Sequence, residues 1–107
     1  MEPSITLDEA KVIAASKDGP KVTEERIKAK IADVTYIRPY ANDFTPGSLT
    51  ICIITMKNNF KFIGKSAPVS PDNFSDVVGK RYAYEDAFKQ IWSHEGYLLR
   101  TSLSIPE

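Results

Sequence analysis

The residues able to do chemistry are few and scattered. Arg38 closes a short β-branched and aromatic run, Lys65 stands near the end of another, and Asn73-Phe74 precedes a helical stretch. A guanidinium offers forked donors for a phosphate, a Phe ring stacks on a base, and an Asn amide reads base or ribose edges. These positions describe an anion or nucleotide site, which Phe62 joins only if its ring leaves the inner face of the sheet. Each also has an ordinary reading: Arg38 as a surface charge, Asn73 as a cap, Phe74 as a plug fastening its loop to the core. The residues alone leave both open.

Catalytic patterns are weaker still. One Cys and one His fall short of the four ligands a zinc site needs. His94 and Glu95 are adjacent, and neighbours in a helix do not face each other, so no base with its orienter is formed. Cys52 in mid-strand reads as a small buried hydrophobe, although Lys61 or Lys65 nearby could make it reactive. Gly64-Lys65-Ser66 is only the tail of a phosphate loop, without the upstream glycine or the following helix. The carboxylate pairs Asp8-Glu9, Glu24-Glu25 and Glu85-Asp86 read as solvated helix surface. No metal, cofactor or catalytic residue is expected.

Fourteen Lys and Arg balance fourteen Asp and Glu. That balance argues against stable nucleic-acid binding, which needs clustered excess cations. A small anionic ligand needs only two or three. A lone cysteine suits a reducing compartment, no apolar run reaches the ~20 residues of a membrane span, and the amino terminus lacks a signal-peptide pattern. A cytoplasmic protein is expected, and 107 residues make one domain.

The elements that must hold these residues follow in order. Thr6-Leu-Asp-Glu9 is a capping box opening a helix from Leu7 to Lys17, which Gly19-Pro20 stops. This Ala-rich arm, residues 1–20, buries little alone and either attaches loosely or docks on a second chain. Thr23 caps a second helix, Glu24 to Ala32, with Ile27, Ile31 and Val34 on one face. Val34 to Tyr40 reads as a strand, and Pro39, which cannot donate to a ladder, makes it an edge or ends it. Leu49–Met56 and Phe60–Ser66 form a hairpin through a two-residue Asn58-Asn59 loop. That register pairs Ile54 with Ile63 and sets Leu49, Ile51, Ile53, Phe60 and Phe62 on the inner face. Cys52, Ile54, Met56 and Ile63 then share an outer face with Lys61 and Lys65. This second face is too apolar for water and too basic for a dry core, as expected of a surface meeting another chain or a ligand.

Ser70-Pro71 reads as an N-cap, Gly79 as a break, and Lys80 to Ser93 as the longest helix, with Ala83, Tyr84, Ala87, Phe88 and Ile91 as its stripe. Glu85 and Lys89 are spaced for an ion pair, and Gly96 ends or bends the helix. Residues 104–107 form a frayed tail. The expected fold is α+β: one or two short helices, a small antiparallel sheet of about three strands, then a long C-terminal helical segment.

Several motifs in this order carry a resemblance. Thr50-Ile51-Cys52, Gly64-Lys65-Ser66-Ala67, Asn73-Phe74, the AYEDA segment and Trp92 through Glu95-Gly96-Tyr97-Leu98-Leu99 resemble a family of small tailed-phage and prophage proteins, over residues 20 to 103. Pro68 stands where that family carries Cys. Its members are mostly without assigned activity, and some resemble Thoeris anti-defence sponges. The resemblance implies a non-enzymatic homo-oligomer in the host cytoplasm that sequesters a cyclic nucleotide immune signal. It gives Arg38, Asn73 and Phe74, with Lys65, a purpose as ligand contacts. Two alternatives stand: a module that inhibits a host protein, and a weak single-stranded nucleic-acid binder stacking bases on Tyr36, Tyr40 and Phe74.

Overall fold

The computed structural model describes residues 4–16, 18–39, 48–68 and 75–106. It is an α+β arrangement: helix α1 (Leu7–Ala15), helix α2 (Glu24–Ala29), strands β1 (Ile31–Ile37), β2 (Thr50–Met56) and β3 (Lys61–Ser66), then helix α3 (Asp76–Ser104). The strands form one antiparallel sheet in the order β1-β2-β3. Helix α3 lies across β2 and β3 on one face of it.

The caps follow from the sequence. The Thr6 hydroxyl accepts from the Glu9 amide at 3.1 Å, and Thr23 accepts from the Arg26 amide at 3.2 Å. Glu9 differs in one respect: it receives the Thr6 hydroxyl proton at 3.1 Å, where the capping box expected its carboxylate on the Thr6 amide. Helix α2 is shorter than its apolar spacing suggested. The chain becomes a strand at Ile31, yet Ile27 is fully buried and Ile31 and Val34 pack against the same core. A helix-to-strand junction satisfies that spacing as well as a longer helix does.

The hairpin differs from expectation by one residue. The Met56 amide donates to the Phe60 carbonyl and the Asn59 amide to the Met56 carbonyl, each at 2.8 Å, so the loop is Lys57-Asn58-Asn59. Asn59 takes φ 74°, the left-handed residue that ends a three-residue hairpin loop and that Asn tolerates well. Asn58 Oδ1 accepts from the Phe60 amide at 3.0 Å and holds the turn. Ile54 therefore pairs with Phe62 and Ile53 with Ile63. A one-residue shift moves every side chain of a strand to the other face. Cys52, Ile54 and Met56, expected outside, lie in the core with Phe62. Ile51 and Ile53, expected inside, share the outer face with Ile63, Lys61 and Lys65.

Gly64 explains how α3 sits so close. A Cβ there would fall on the Ala83 carbonyl oxygen and the Ala87 amide nitrogen, and 2.9 Å from the Ala87 Cα. The helix backbone rests directly on the strand, and Ala83 and Ala87 are fully buried because nothing larger fits. The helix also seals the free edge of β3. Asp86 accepts from the Lys65 amide at 2.9 Å, and the Gln90 side-chain amide donates to the Ile63 carbonyl at 2.8 Å.

Neither Gly79 nor Gly96 interrupts α3. Ser75 caps it, accepting from the Val78 amide at 3.4 Å, and the Gly79 amide donates to the Ser75 carbonyl at 2.8 Å. The expected cap at Ser70-Pro71 lies outside the described residues. At ~1.5 Å per residue the helix is about 43 Å long, so Gly96 is one weak link among many good ones. Glu85 pairs with Arg81 at 2.5 Å and Lys89 with Asp86 at 3.1 Å, in place of the expected Glu85–Lys89 pair. Helix α1 buries no residue.

Candidate functional site

The inner face of β1 looks onto a cleft of about 730 Å³ whose walls come from α1, α2 and α3. Its long side is a row of rings. Tyr84 stacks on Phe88 with centroids 5.5 Å apart, and Phe88 meets Trp92 edge-on at 6.3 Å. Tyr36 adds a fourth ring from β1, with the Lys80 ammonium 5.7 Å from its centre. The helical period sets Tyr84, Phe88 and Trp92 one turn apart on one flank of α3. Trp92 keeps 39% of its surface and Tyr36 38%, so these rings offer faces to a ligand.

The charges of the cleft are held in exposed ion pairs. Lys28 meets Glu24 at 3.0 Å on α2, and Arg81 meets Glu85 on α3; Lys11 completes the lining from α1. All four paired side chains are half or more exposed. Such surface pairs are worth only ~0.2–1 kcal/mol. An incoming phosphate can exchange with the carboxylates at little cost. Burial raises the pKa of the Tyr36 and Tyr84 phenols, so both stay neutral hydrogen-bond donors at pH 7. Among the described residues no three of His, Cys, Asp and Glu gather as metal ligands.

Of the residues singled out from the sequence, the described ones, Arg38, Lys65 and Phe62, do not converge. Arg38 occupies the inner face, two positions beyond Tyr36 and so at the end of the cleft. Its guanidinium donates to Thr50 Oγ1 at 3.3 Å and pairs with Asp76 at 2.5 Å in the first turn of α3. Arg38, followed by Lys80, holds the Asp76 carboxyl below its ordinary pKa. Arg38 thus ties the end of β1 to α3 and satisfies Thr50, the one buried polar side chain among the described residues. Lys65 lies on the opposite face of the sheet. Phe62 packs inside at the hairpin end, 5.1 Å from Phe60 and 4.9 Å from His94. Asn73, Phe74 and Tyr40 lie outside the described residues.

A second groove, about 490 Å³, runs between the hairpin tip and the far half of α3, lined by Met56, Phe60, Phe62, His94, Tyr97 and Leu98 among others. His94 lies in mid-helix with Nδ1 2.9 Å from the Gln90 carbonyl, and Glu95 pairs with Lys30 at 2.6 Å. The two adjacent side chains have separate partners. Cys52 is fully buried, and that burial raises its thiol pKa.

Among the described residues no helix is long and apolar enough to cross a membrane. No curated protein and no solved structure matches the chain. The model of the phage protein (N4 Gp49/phage Sf6 gene 66) family matches residues 22–103, from the cap of α2 to the last turn of α3. That span includes the whole sheet, the helix on it and all of the cleft except Lys11. The chain belongs to this phage protein family.

Proposed function

We propose that the protein is a non-enzymatic phage binding module that sequesters a cyclic nucleotide immune signal in the host cytoplasm, as Thoeris anti-defence sponges do. One observation carries the reading: four aromatic rings border a cleft together with Lys28, Arg81 and Lys11, and Arg38 and Lys80 flank it. Bases stack on such rings at ~1–3 kcal/mol each, and a pyrophosphate would draw Arg81 and Lys28 away from Glu85 and Glu24. Nothing in the cleft needs to bond covalently with the ligand. Sequestration is stoichiometric, so a low Kd and slow release matter where turnover does not.

Calorimetry with cyclic ADP-ribose isomers and with cyclic di- and trinucleotides tests this. A Kd below about 1 μM, equivalent to ~8 kcal/mol, with the ligand recovered intact, is the expected result. Arg81→Ala and Trp92→Ala should each weaken it at least tenfold. No heat from any of these ligands at protein concentrations well above micromolar sinks the reading, and ligand consumed during the run would make the protein an enzyme.

A further inference from the structure

We propose that the outer face of the sheet is the surface through which two copies of this chain associate, related by a two-fold axis parallel to β2. The pairing places three rows on that face: Asp33–Thr55–Lys61, Thr35–Ile53–Ile63 and Ile37–Ile51–Lys65. Ile63 is 58% and Ile37 43% exposed, and among the described residues no element covers them. Ile51 and Ile53 fill the middle of the patch.

The charges on this face select the partner. On α3, Asp76, Lys80, Arg81, Glu85, Asp86 and Lys89 all have ion partners. Asp33 and Lys61 have none among the described residues, and Lys65 acts on Asp86 only through its backbone amide and a longer-range attraction. Asp33 receives only the Thr35 hydroxyl, and Lys61 donates only to Thr55. Asp33 and Lys61 stand at opposite edges of one row, about 10 Å apart across two strand spacings.

A two-fold axis along β2 exchanges the two edges and keeps each row. The Asp33 of one copy then faces the Lys61 of the other, twice. Ile53 stacks on Ile53, Ile51 on Ile51, and Ile63 covers Thr35. Lys65 lays its stem over Ile37 and reaches water at the rim. An axis perpendicular to the strands would instead oppose Lys61 to Lys65 and press Asp33 on Ile37. Only the first arrangement is self-complementary, as an isologous contact must be. Aligned sheets pack in this way ~10 Å apart.

The face is small. Three strands ~4.8 Å apart and about seven residues long give roughly 300 Å² of projected area per copy, under the ~800 Å² per partner of a tight complex. A dimer with a Kd in the micromolar range is expected. This inference does not depend on what the cleft binds.

Sedimentation velocity on the full chain over roughly 1–500 μM reads the equilibrium. The wild type should pass from monomer to dimer. Asp33→Lys and Lys61→Asp should each weaken the dimer about tenfold, and the double exchange Asp33→Lys/Lys61→Asp should restore it to within about threefold. Ile53→Asp sets two carboxylates on the axis and should leave a folded monomer, with folding confirmed by far-UV circular dichroism. A wild type that stays monomeric throughout overturns the proposal. So does a dimer that survives Ile53→Asp, or a double exchange no better than either single one.

Discussion

The two faces of this sheet carry nearly the same apolar inventory and differ in how it is used. The inner face presents Cys52, Ile54, Met56, Phe62 and Gly64, and α3 lies so close that only hydrogen fits at Gly64. Among the described residues no buried side-chain polar atom there lacks a partner. The outer face presents Ile37, Ile51, Ile53 and Ile63 to an open surface, with its charges at the corners. Hydrophobic residues alone do not say which face is core. The glycine that admits a helix backbone does.

Substitutions can break this contrast in order of size. Gly64→Leu should unfold the protein, because the displaced atoms belong to the backbone of α3; the loss should be about 3 kcal/mol or more. Urea titration measures it. Next, Ile54→Ala should cost about 2–5 kcal/mol as a cavity under α3. Ile63→Ala on the other face should change stability by under about 0.5 kcal/mol at concentrations where the chain is monomeric. Equal effects would show that both faces are packed. Gly96→Ala should stabilise by about 0.5–1 kcal/mol, since open space surrounds that position and α3 is continuous there.

The last effect concerns acid. The pKa of Asp76 is lowered chiefly by Arg38, and that of Asp86 chiefly by the Lys65 amide. The unfolded chain therefore binds more protons at low pH. The stability these groups add is complete above about pH 4 and is lost as the pH falls through their lower folded values. The urea midpoint should drop between about pH 4 and 3, and Asp86→Asn should flatten part of that drop. An unchanged slope in Asp86→Asn would remove the carboxylate cap on β3 from the account.

Much of the fold was legible because its signals are local. Thr6 and Thr23 announce their helices, the β-branched runs announce β2 and β3, and the stripe from Ala83 to Ile91 announces α3. The hairpin register failed on Lys57, a residue with no turn signature, because Asn58-Asn59 looked sufficient by itself. Only Asn59 takes the left-handed conformation. Gly79 and Gly96 read as breaks, since a glycine weighs heavily in a short window and lightly in a helix of 29 residues. The cleft was hardly legible at all. Tyr36, Lys28 and Trp92 come from three elements and meet only after α3 has chosen its face. Arg38 reads as a cation at a strand end, but its bonds to Thr50 and Asp76 depend on that same choice.

The seal on β3 has a consequence for solubility. A bare strand edge is a template on which further chains can add, and unlimited addition leads to fibres. Here Asp86 and Gln90 occupy the amide and carbonyl that an added strand would need. Among the described residues, pairing along the sheet is left to the β1 side, where two chains meeting edge to edge would each present a blocked end. Growth would stop at that pair. With a half-apolar sheet face exposed, the protein carries its own chain terminator against becoming a filament.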